Sequence, residues 1–159
     1  PIGAHSSGLI GENPKKKSEN LFPILCEVAL KKRKDLKIFG NDWPTIDGTC
    51  ERDFIHIMDI AEAHSKAIEL LFSSDCLYQS INLGTGKATS VLQFLKIFEK
   101  VNKLKIQFTF ASRRKGDVSL LCADVSKAEK ILGWRAKKNI EEMCLDGWNW
   151  YLNNLELKK

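Results

Sequence analysis

The sequence lacks the features of a membrane, metal or disulfide-bonded protein. It has no apolar run of the roughly 18 residues that a membrane-spanning helix needs, and it opens with no signal-peptide pattern. Its three histidines are too scattered for a metal cluster. Its five cysteines are odd in number and form no C-x-x-C pair. We therefore expect a cytoplasmic protein with reduced thiols and with no membrane or metal partner.

Two motifs of nucleotide chemistry are incomplete. Gly84–Gly86 follow a predicted strand and precede a predicted helix, but Thr89 occupies the third glycine position of a dinucleotide fingerprint. No acidic residue stands about twenty residues further on, and no Walker A sequence occurs. A turn that needs small residues is favoured over a dinucleotide site. Neither Tyr78 nor Tyr151 has a lysine four residues later, so a Tyr-x-x-x-Lys dyad is absent as well.

Length and charge indicate one globular domain over residues 1–159. Hydrophobic residues make up 43% and charged residues 28%, with a net charge of +5. The basic residues concentrate in Lys15–Lys17 and Lys31–Lys34. A nucleic-acid interface is one interpretation, but a solvated loop and a helix C-terminus are favoured, because cations complement the helix dipole there. A small phosphate-bearing ligand fits this charge.

Short strands alternate with helices in the predicted order. Apolar periodicity predicts five helices, over residues 21–34, 59–72, 91–102, 126–132 and 140–152. Their expected caps are Asn20, Asp59 with Glu62, Ser90 with Gln93, and Asn139 with Glu142, with Gly133 ending the fourth helix. Short apolar or alternating runs predict strands at 36–40, 52–57, 80–86 and 105–111. The pattern indicates an α/β or α+β fold.

Arginines provide the clearest candidate for a binding site. Arg52 opens the stretch RDFIHI, and Arg113 and Arg114 open RRKGD. A guanidinium group holds a phosphate through two parallel hydrogen bonds, so arginines converging from two segments would bind a diphosphate. The alternative is structural, with Arg52 paired to Asp53 or Asp59 and Arg113 merely exposed. Spacing alone leaves both open.

The sequence at these residues resembles the UDP-glucose 4-epimerase family of the extended short-chain dehydrogenase/reductases. The resemblance covers nearly the whole chain, and its most specific motifs are IFGNDWPTIDGT, RDFIHIMD and RRKGD, in that order. RDFIHI alone also fits related nucleotide-sugar 4,6-dehydratases, which GNDWPTIDGT argues against. A non-catalytic nucleotide-sugar-binding module remains a further alternative.

The resemblance implies an α/β, UDP-sugar-binding C-terminal domain. The family's N-terminal Rossmann domain binds NAD and carries the Tyr-x-x-x-Lys dyad, and this chain begins at Pro1 with neither motif. We therefore expect part of an enzyme that is inactive alone. The complete enzyme would interconvert UDP-glucose and UDP-galactose by transient oxidation at C4. Family members are often homodimers, which makes a homodimer an expectation for the complete enzyme.

Several substrate-binding residues follow from the family's motifs. Asn20 matches an asparagine that hydrogen-bonds the substrate, and Leu21 matches a residue whose backbone N–H meets the diphosphate at a helix start. Lys37 and Phe39 match the strand that receives uracil, through backbone and ring respectively. Val91 matches a residue that lines the nucleotide pocket.

The charged part of the family site also has counterparts. Arg52 and Arg114 match the arginines that bind the diphosphate, and Asp117 matches the carboxylate that accepts from the ribose hydroxyls. Leu121 stands where family members have a tyrosine or a smaller residue such as cysteine. Because that position governs room for an N-acetyl group, leucine leaves the sugar preference open.

Overall fold

The structure, a computed structural model, describes residues 1–13, 18–73 and 78–156. These residues form five helices and five short strands. The helices are α1 (Leu21–Ala29), α2 (Ile57–Ser73), α3 (Val91–Asn102), α4 (Ser126–Leu132) and α5 (Ile140–Glu156). The strands are β1 (Leu36–Phe39), β2 (Glu51–Arg52), β3 (Thr89–Ser90), β4 (Phe108–Ala111) and β5 (Leu120–Leu121). No helix in the described part of the chain is both long and apolar enough to cross a bilayer.

The strands form two small sheets. β1 pairs in parallel with β4, from Leu36 opposite Phe108 to Phe39 opposite Ala111. β2 is the central strand of the second sheet, antiparallel to β3 and parallel to β5. Parallel neighbours need long crossover connections, and a helix lies within each of these. The predicted α/β class is confirmed.

The main core lies between helices and not between sheets. Aromatic rings of α1, α3 and α5 interlock at its centre, where Phe98 meets Phe22 at 5.7 Å and Trp148 at 5.9 Å between ring centroids, both edge to face. A smaller cluster packs α2 against α4 through residues such as Ala63 and Ala128. The two sheets lie beside this helical platform.

The predicted starts of α3 and α5 are confirmed. Ser90 Oγ accepts the backbone N–H of Gln93 at 3.0 Å. Asn139 Oδ1 accepts the N–H of Glu142 at 2.8 Å, and the Glu142 carboxylate accepts the N–H of Asn139 at 2.9 Å. This reciprocal pair is a complete capping box. Gly133 ends α4 with a φ of 58°, as expected.

The predicted start of α2 is wrong. The helix begins at Ile57, so Asp59 lies inside its first turn and is not a cap. Asp59 is buried and accepts the N–H of Lys138 at 3.0 Å. The cap is His56, whose Nδ1 accepts the N–H of Met58 at 3.0 Å. An imidazole nitrogen thus replaces the expected carboxylate.

The first helix is shorter than expected. α1 ends at Ala29, five residues early, because Lys31 adopts a left-handed φ of 57°. The N–H groups of Lys32 and Arg33 then donate to the carbonyl of Glu27, which closes the last turn. The side chain of Asn20 makes no capping hydrogen bond, contrary to expectation.

Two of the predicted strands are wrong: one is much shorter than expected and the other does not form. Of residues 52–57, only Arg52 lies in a strand, paired within Glu51–Arg52, apart from a single bridge between His56 and Ile2. Residues 80–86 form no strand and contain a turn. Apolar runs this short do not determine strand pairing, which here depends on partners distant in sequence.

Four cysteines, Cys26, Cys50, Cys122 and Cys144, are free thiols. Burial raises the pKa of Cys144 to about 12 and the pKa of Cys26 well above its usual value. Cys76 and the basic stretch Lys15–Lys17 lie outside the described residues.

His56 joins the start of α2 to α5. Its fully buried ring places Nε2 3.2 Å from Asp146 Oδ2. Because Nδ1 accepts the Met58 N–H, the proton of the neutral ring lies on Nε2 and is donated to Asp146. Burial, followed by the nearby charge of Lys138, lowers the pKa of His56.

Acidification is therefore expected to destabilise this fold. The neutral ring is fully stabilising above the unfolded-state pKa of about 6.5, and the stability is lost as the pH falls through the lower folded-state pKa, by at most about 1.4 kcal/mol per pH unit. Thermal unfolding measured from about pH 7.5 to 5 should show the slope. His56→Gln should flatten it, whereas the exposed His64→Gln should keep it. An unchanged slope in His56→Gln would contradict this assignment.

Candidate functional site

A cavity opens between the two sheets and the start of α1. Its volume is about 140 Å³. The walls come from the start of α1, from β1 and β2, from the start of α3 and from the loop between β4 and β5. The lining residues are Glu19, Leu21, Ile24, Leu36, Lys37, Ile38, Phe39, Cys50, Arg52, Phe54, Val91, Arg114 and Asp117.

Most of the residues expected to bind substrate meet in this cavity. Those present are Leu21, Lys37, Phe39, Arg52, Val91, Arg114 and Asp117. Asn20 instead lines a different cavity of about 440 Å³, together with Phe22 and Tyr151. Leu121 lies opposite Arg52 in the β2–β5 register, but it is 62% exposed and lines neither cavity.

Backbone carbonyls orient Arg52. Its Nη1 donates to the carbonyl of Glu51 at 2.8 Å and to the carbonyl of Val118 at 2.9 Å. These bonds join β2 to the segment that precedes β5. Nη2 lies 3.7 Å from Asp117 Oδ1, so Asp117 is the carboxylate that Arg52 meets, and not either of the two aspartates suggested by proximity in sequence.

Arg114 approaches the same carboxylate. Its Nε lies 3.0 Å from Asp117 Oδ2 and its Nη2 lies 3.4 Å from Oδ1. The guanidinium carbon lies 4.6 Å from the centre of the Phe39 ring. Asp117 therefore lies between two guanidinium groups, and one carboxylate faces two cations. Such a pair can bind an additional oxyanion.

The start of α1 adds a second attraction for anions. Leu21 is the first helical residue and lines the cavity. Asn20 leaves the first-turn N–H groups without a side-chain cap, and Pro23 has no N–H to satisfy. Uncapped first-turn N–H groups at the positive end of a helix dipole favour bound phosphate.

The side chains of β1 point alternately to opposite faces of the strand, and this strand forms another wall of the cavity. Leu36 and Ile38 are buried, whereas Lys37 and Phe39 face the other side. Lys37, Phe39 and Arg114 also line an adjoining hollow of about 490 Å³. The half-buried ring of Phe39, next to strand backbone, suits a planar base.

Sequence reasoning missed some of the cavity wall. Glu19 and Phe54 both line it. Phe54 lies inside RDFIHI, two residues after Arg52, and period-2 alternation would place it on the same side as Arg52. No comparable pattern marks Glu19.

The Gly84–Gly86 turn packs around a carboxylate. The N–H groups of Thr85 and Gly86 each donate to Asp53 at 2.9 Å, and the N–H of Ala123 donates at 3.3 Å. A Cβ on Gly84 would lie 2.5 Å from Asp53 Oδ2 and from Ala123 Cβ. Small residues are needed here for close approach, as favoured above. These N–H groups do not fit the pyrophosphate of NAD, because Asp53 already accepts them.

Family comparison identifies the kind of protein that carries this geometry. Residues 5–146 match the model of a family described as GDP-mannose 4,6 dehydratase. The chain belongs to this family. The match includes both arginines and every residue that lines the cavity.

Individual members of the family are similar to this chain over almost all of its length. The UDP-glucose 4-epimerase of Bacillus subtilis is 48% identical over 155 residues, which cover 98% of this chain and 45% of that protein. The chain thus spans less than half the length of the curated relatives that it matches first. The resemblance to UDP-glucose 4-epimerases is confirmed.

Solved structures agree with the sequence relatives. A UDP-glucose 4-epimerase from Stenotrophomonas maltophila, with bound NAD and formylated UDP-arabinopyranose, superposes with a TM-score of 0.94 at 39% identity, covering 99% of this chain and 46% of that one. The enzyme from Bifidobacterium longum, in complex with NAD⁺ and UDP, gives a TM-score of 0.88 at 40% identity, covering 98% and 46%.

Replacing Asp53 should affect folding stability. In Asp53→Asn, an amide group would face the N–H donors of Thr85 and Gly86, which is expected to cost about 1–3 kcal/mol. The free energy of unfolding in urea measures this. Asp124→Asn is the matched control, because Asp124 is exposed, accepts the N–H of Ser126 at 3.0 Å, and asparagine keeps an acceptor oxygen for that bond. Equal unfolding free energies in both variants would contradict the anchoring role of Asp53.

Proposed function

We propose that residues 1–159 form the UDP-sugar-binding domain of a UDP-glucose 4-epimerase, which interconverts UDP-glucose and UDP-galactose. One observation carries the proposal: Arg52 and Arg114, from separate segments, converge on one cavity beside Phe39 and the uncapped start of α1. The UDP in the Bifidobacterium longum relative supports this choice of ligand.

The diphosphate is the part of the ligand that this cavity binds most strongly. Arg52 and Arg114 share Asp117 in the free protein, and a diphosphate offers both forks several acceptors. The backbone N–H of Leu21 adds a donor at the helix start. Asp117, once displaced from the arginines, is free to accept hydrogen bonds from the ribose hydroxyls.

The remaining contacts place the ends of the ligand. Uracil packs on Phe39 and meets the backbone of Lys37 along β1, while Val91 closes the wall. Asn20 immediately precedes α1 and lines the neighbouring cavity, where it hydrogen-bonds the substrate. Leu121, next to Arg52 across β2 and β5, borders the hexose.

The reaction needs a bound NAD, which supplies reversible hydride transfer at C4. The Gly84–Gly86 turn does not fit NAD, because its amides are occupied by Asp53. We infer that NAD binds outside these 159 residues and that the chain is inactive alone. Binding energy placed on the nucleotide leaves the hexose free to turn.

The second candidate is a nucleotide-sugar 4,6-dehydratase, which the description of the matching family favours. Identities of 45–49% to proteins named UDP-glucose 4-epimerase favour the epimerase over the dehydratase. The product that the full-length protein makes from UDP-glucose distinguishes them. UDP-galactose supports the epimerase, and a 4-keto-6-deoxy sugar nucleotide supports the dehydratase.

Assembly and location complete the proposal. We infer a cytoplasmic homodimer that does not bind nucleic acid. In the basic stretch after α1, Arg33 is paired with Glu27 at 3.3 Å, so part of its charge is balanced within the fold.

The two arginines should determine substrate affinity. In the full-length protein, Arg52→Ala or Arg114→Ala should raise KM for UDP-galactose roughly tenfold or more, since each removes a charge-assisted contact of about 1.5–3 kcal/mol. Bound NAD should be retained, and lysine at either position should restore only part of the affinity. Steady-state kinetics measures these effects. Arg135→Ala is the control, since Arg135 pairs with Glu129 away from the cavity. An unchanged KM in both cavity variants would make these arginines structural.

Leu121 should restrict the sugar. An N-acetyl group adds volume next to leucine, and overpacking costs typically about 1–3 kcal/mol. The full-length protein should therefore prefer UDP-galactose to UDP-N-acetylgalactosamine by roughly ten- to hundredfold in kcat/KM. Leu121→Cys should narrow the ratio, and Leu121→Tyr should widen it. Equal kcat/KM for both sugars in the natural protein would show that other residues bound the hexose.

A further inference from the structure

The two adjacent arginines of RRKGD have different partners. Arg114 faces the cavity, whereas Arg113 binds the loop 40–49. Arg113 Nε lies 2.8 Å from Asp42 Oδ1, and its Nη2 donates to the carbonyl of Asp42 at 2.6 Å. Its guanidinium carbon lies 3.9 Å from the centre of the Trp43 ring. Arg113 is thus held by two hydrogen bonds to Asp42 and by stacking on Trp43. It does not line the cavity.

Trp43 offers a rigid surface for this contact. Its Nε1 donates to the carbonyl of Phe39 at 3.2 Å, and its N–H donates to the carbonyl of Gly48 at 3.0 Å. A Cβ on Gly40 would lie 2.3 Å from Trp43 Nε1, so only glycine permits this approach. The indole is therefore fixed at the end of β1, close to the ring expected to receive the base.

The far end of the loop is equally well held. Thr49 is fully buried, and its N–H and Oγ1 bond to Asp47 at 3.0 and 2.7 Å. Ser90 Oγ also donates to Asp47, and the N–H of Val91 donates to the carbonyl of Cys50 at 3.0 Å. Loop 40–49 thus links β1, β2 and the start of α3, the elements that carry most of the cavity.

Arg114 is held against that frame less firmly, by stacking on Phe39 of β1, with its guanidinium carbon 4.6 Å from the centre of the ring. Its side chain is 54% exposed, and its ion pair is with Asp117, three residues along the same segment. A contact within one segment does not fix that segment against β1. Arg113, immediately beside Arg114, does join this segment to loop 40–49, which follows β1.

We propose that Arg113, held by Asp42 and Trp43, is a positioning residue that sets the place of Arg114 for binding the substrate diphosphate. This inference rests on the proposed function. The side chains of Arg113 and Asp42 are 41% and 68% exposed, and exposed ion pairs add little to folding stability. The effect of losing Arg113 should therefore appear in substrate affinity and not in unfolding.

The test uses steady-state kinetics of the full-length protein with UDP-galactose. Arg113→Ala should raise KM about three- to tenfold with kcat unchanged, and Arg113→Lys should recover little, because an ammonium group forms no fork. Asp42→Ala removes the same contact from the other side and should shift KM in the same direction. The matched control is Arg135→Ala. It also removes an exposed pair of hydrogen bonds from an arginine to a carboxylate, that of Glu129, at 2.6 and 2.9 Å. The melting temperatures of Arg113→Ala and Arg135→Ala should agree.

A double variant separates positioning from a general structural role. If Arg113 acts through Arg114, adding Arg113→Ala to Arg114→Ala should raise KM no further, because the two effects are not additive. Fully additive effects, or a KM in Arg113→Ala equal to that in Arg135→Ala, would overturn the inference. If Arg52→Ala and Arg114→Ala both leave KM unchanged, the proposed function fails first, so the two failures are distinguishable.

Discussion

The carboxylate of Asp117 lies between the guanidinium groups of Arg52 and Arg114, and the candidate site depends on this arrangement. Two arginines this close would repel each other without a shared anion. Asp117, with a side chain 17% exposed, balances part of their charge and holds both near one point. A diphosphate has more acceptor oxygens than one carboxylate, so it can accept paired hydrogen bonds from both guanidinium groups. The free protein thus already holds the two cations at one carboxylate.

The rest of the fold places these charges. β2 is two residues long, yet pairing on both edges fixes Arg52 opposite Leu121 and Thr89. The helical core behind the sheets has a centre of aromatic rings, such as Phe98, that do not line the cavity. Its role is to hold the starts of α1 and α3 against β1. Leu36 and Ile38 belong both to this core and to the cavity wall, so packing and the candidate site meet at β1.

Structural features that depend on residues close in sequence were predicted correctly more often than features that depend on contacts distant in sequence. The caps of α3 and α5 depend on residues three apart, and Ser90 and Asn139 were correctly assigned. The start of α2 was not, because the carboxylate of Asp59 is bound by Lys138, 79 residues away in sequence. Asp53 likewise binds the turn at 84–86, a contact that propensity cannot show. Seven of the nine residues that the resemblance assigned to substrate binding line one cavity, whereas Asn20 and Leu121 lie outside it.

The central claim is that Arg52 and Arg114 bind a diphosphate. The most direct test compares the dissociation constants of UDP and uridine by calorimetry on the full-length protein. Two charge-assisted contacts should make UDP bind at least about a hundredfold more tightly than uridine. The account predicts that this ratio collapses in the Arg52→Ala/Arg114→Ala double variant, while uridine binds as before. A double variant that keeps the natural ratio would contradict it.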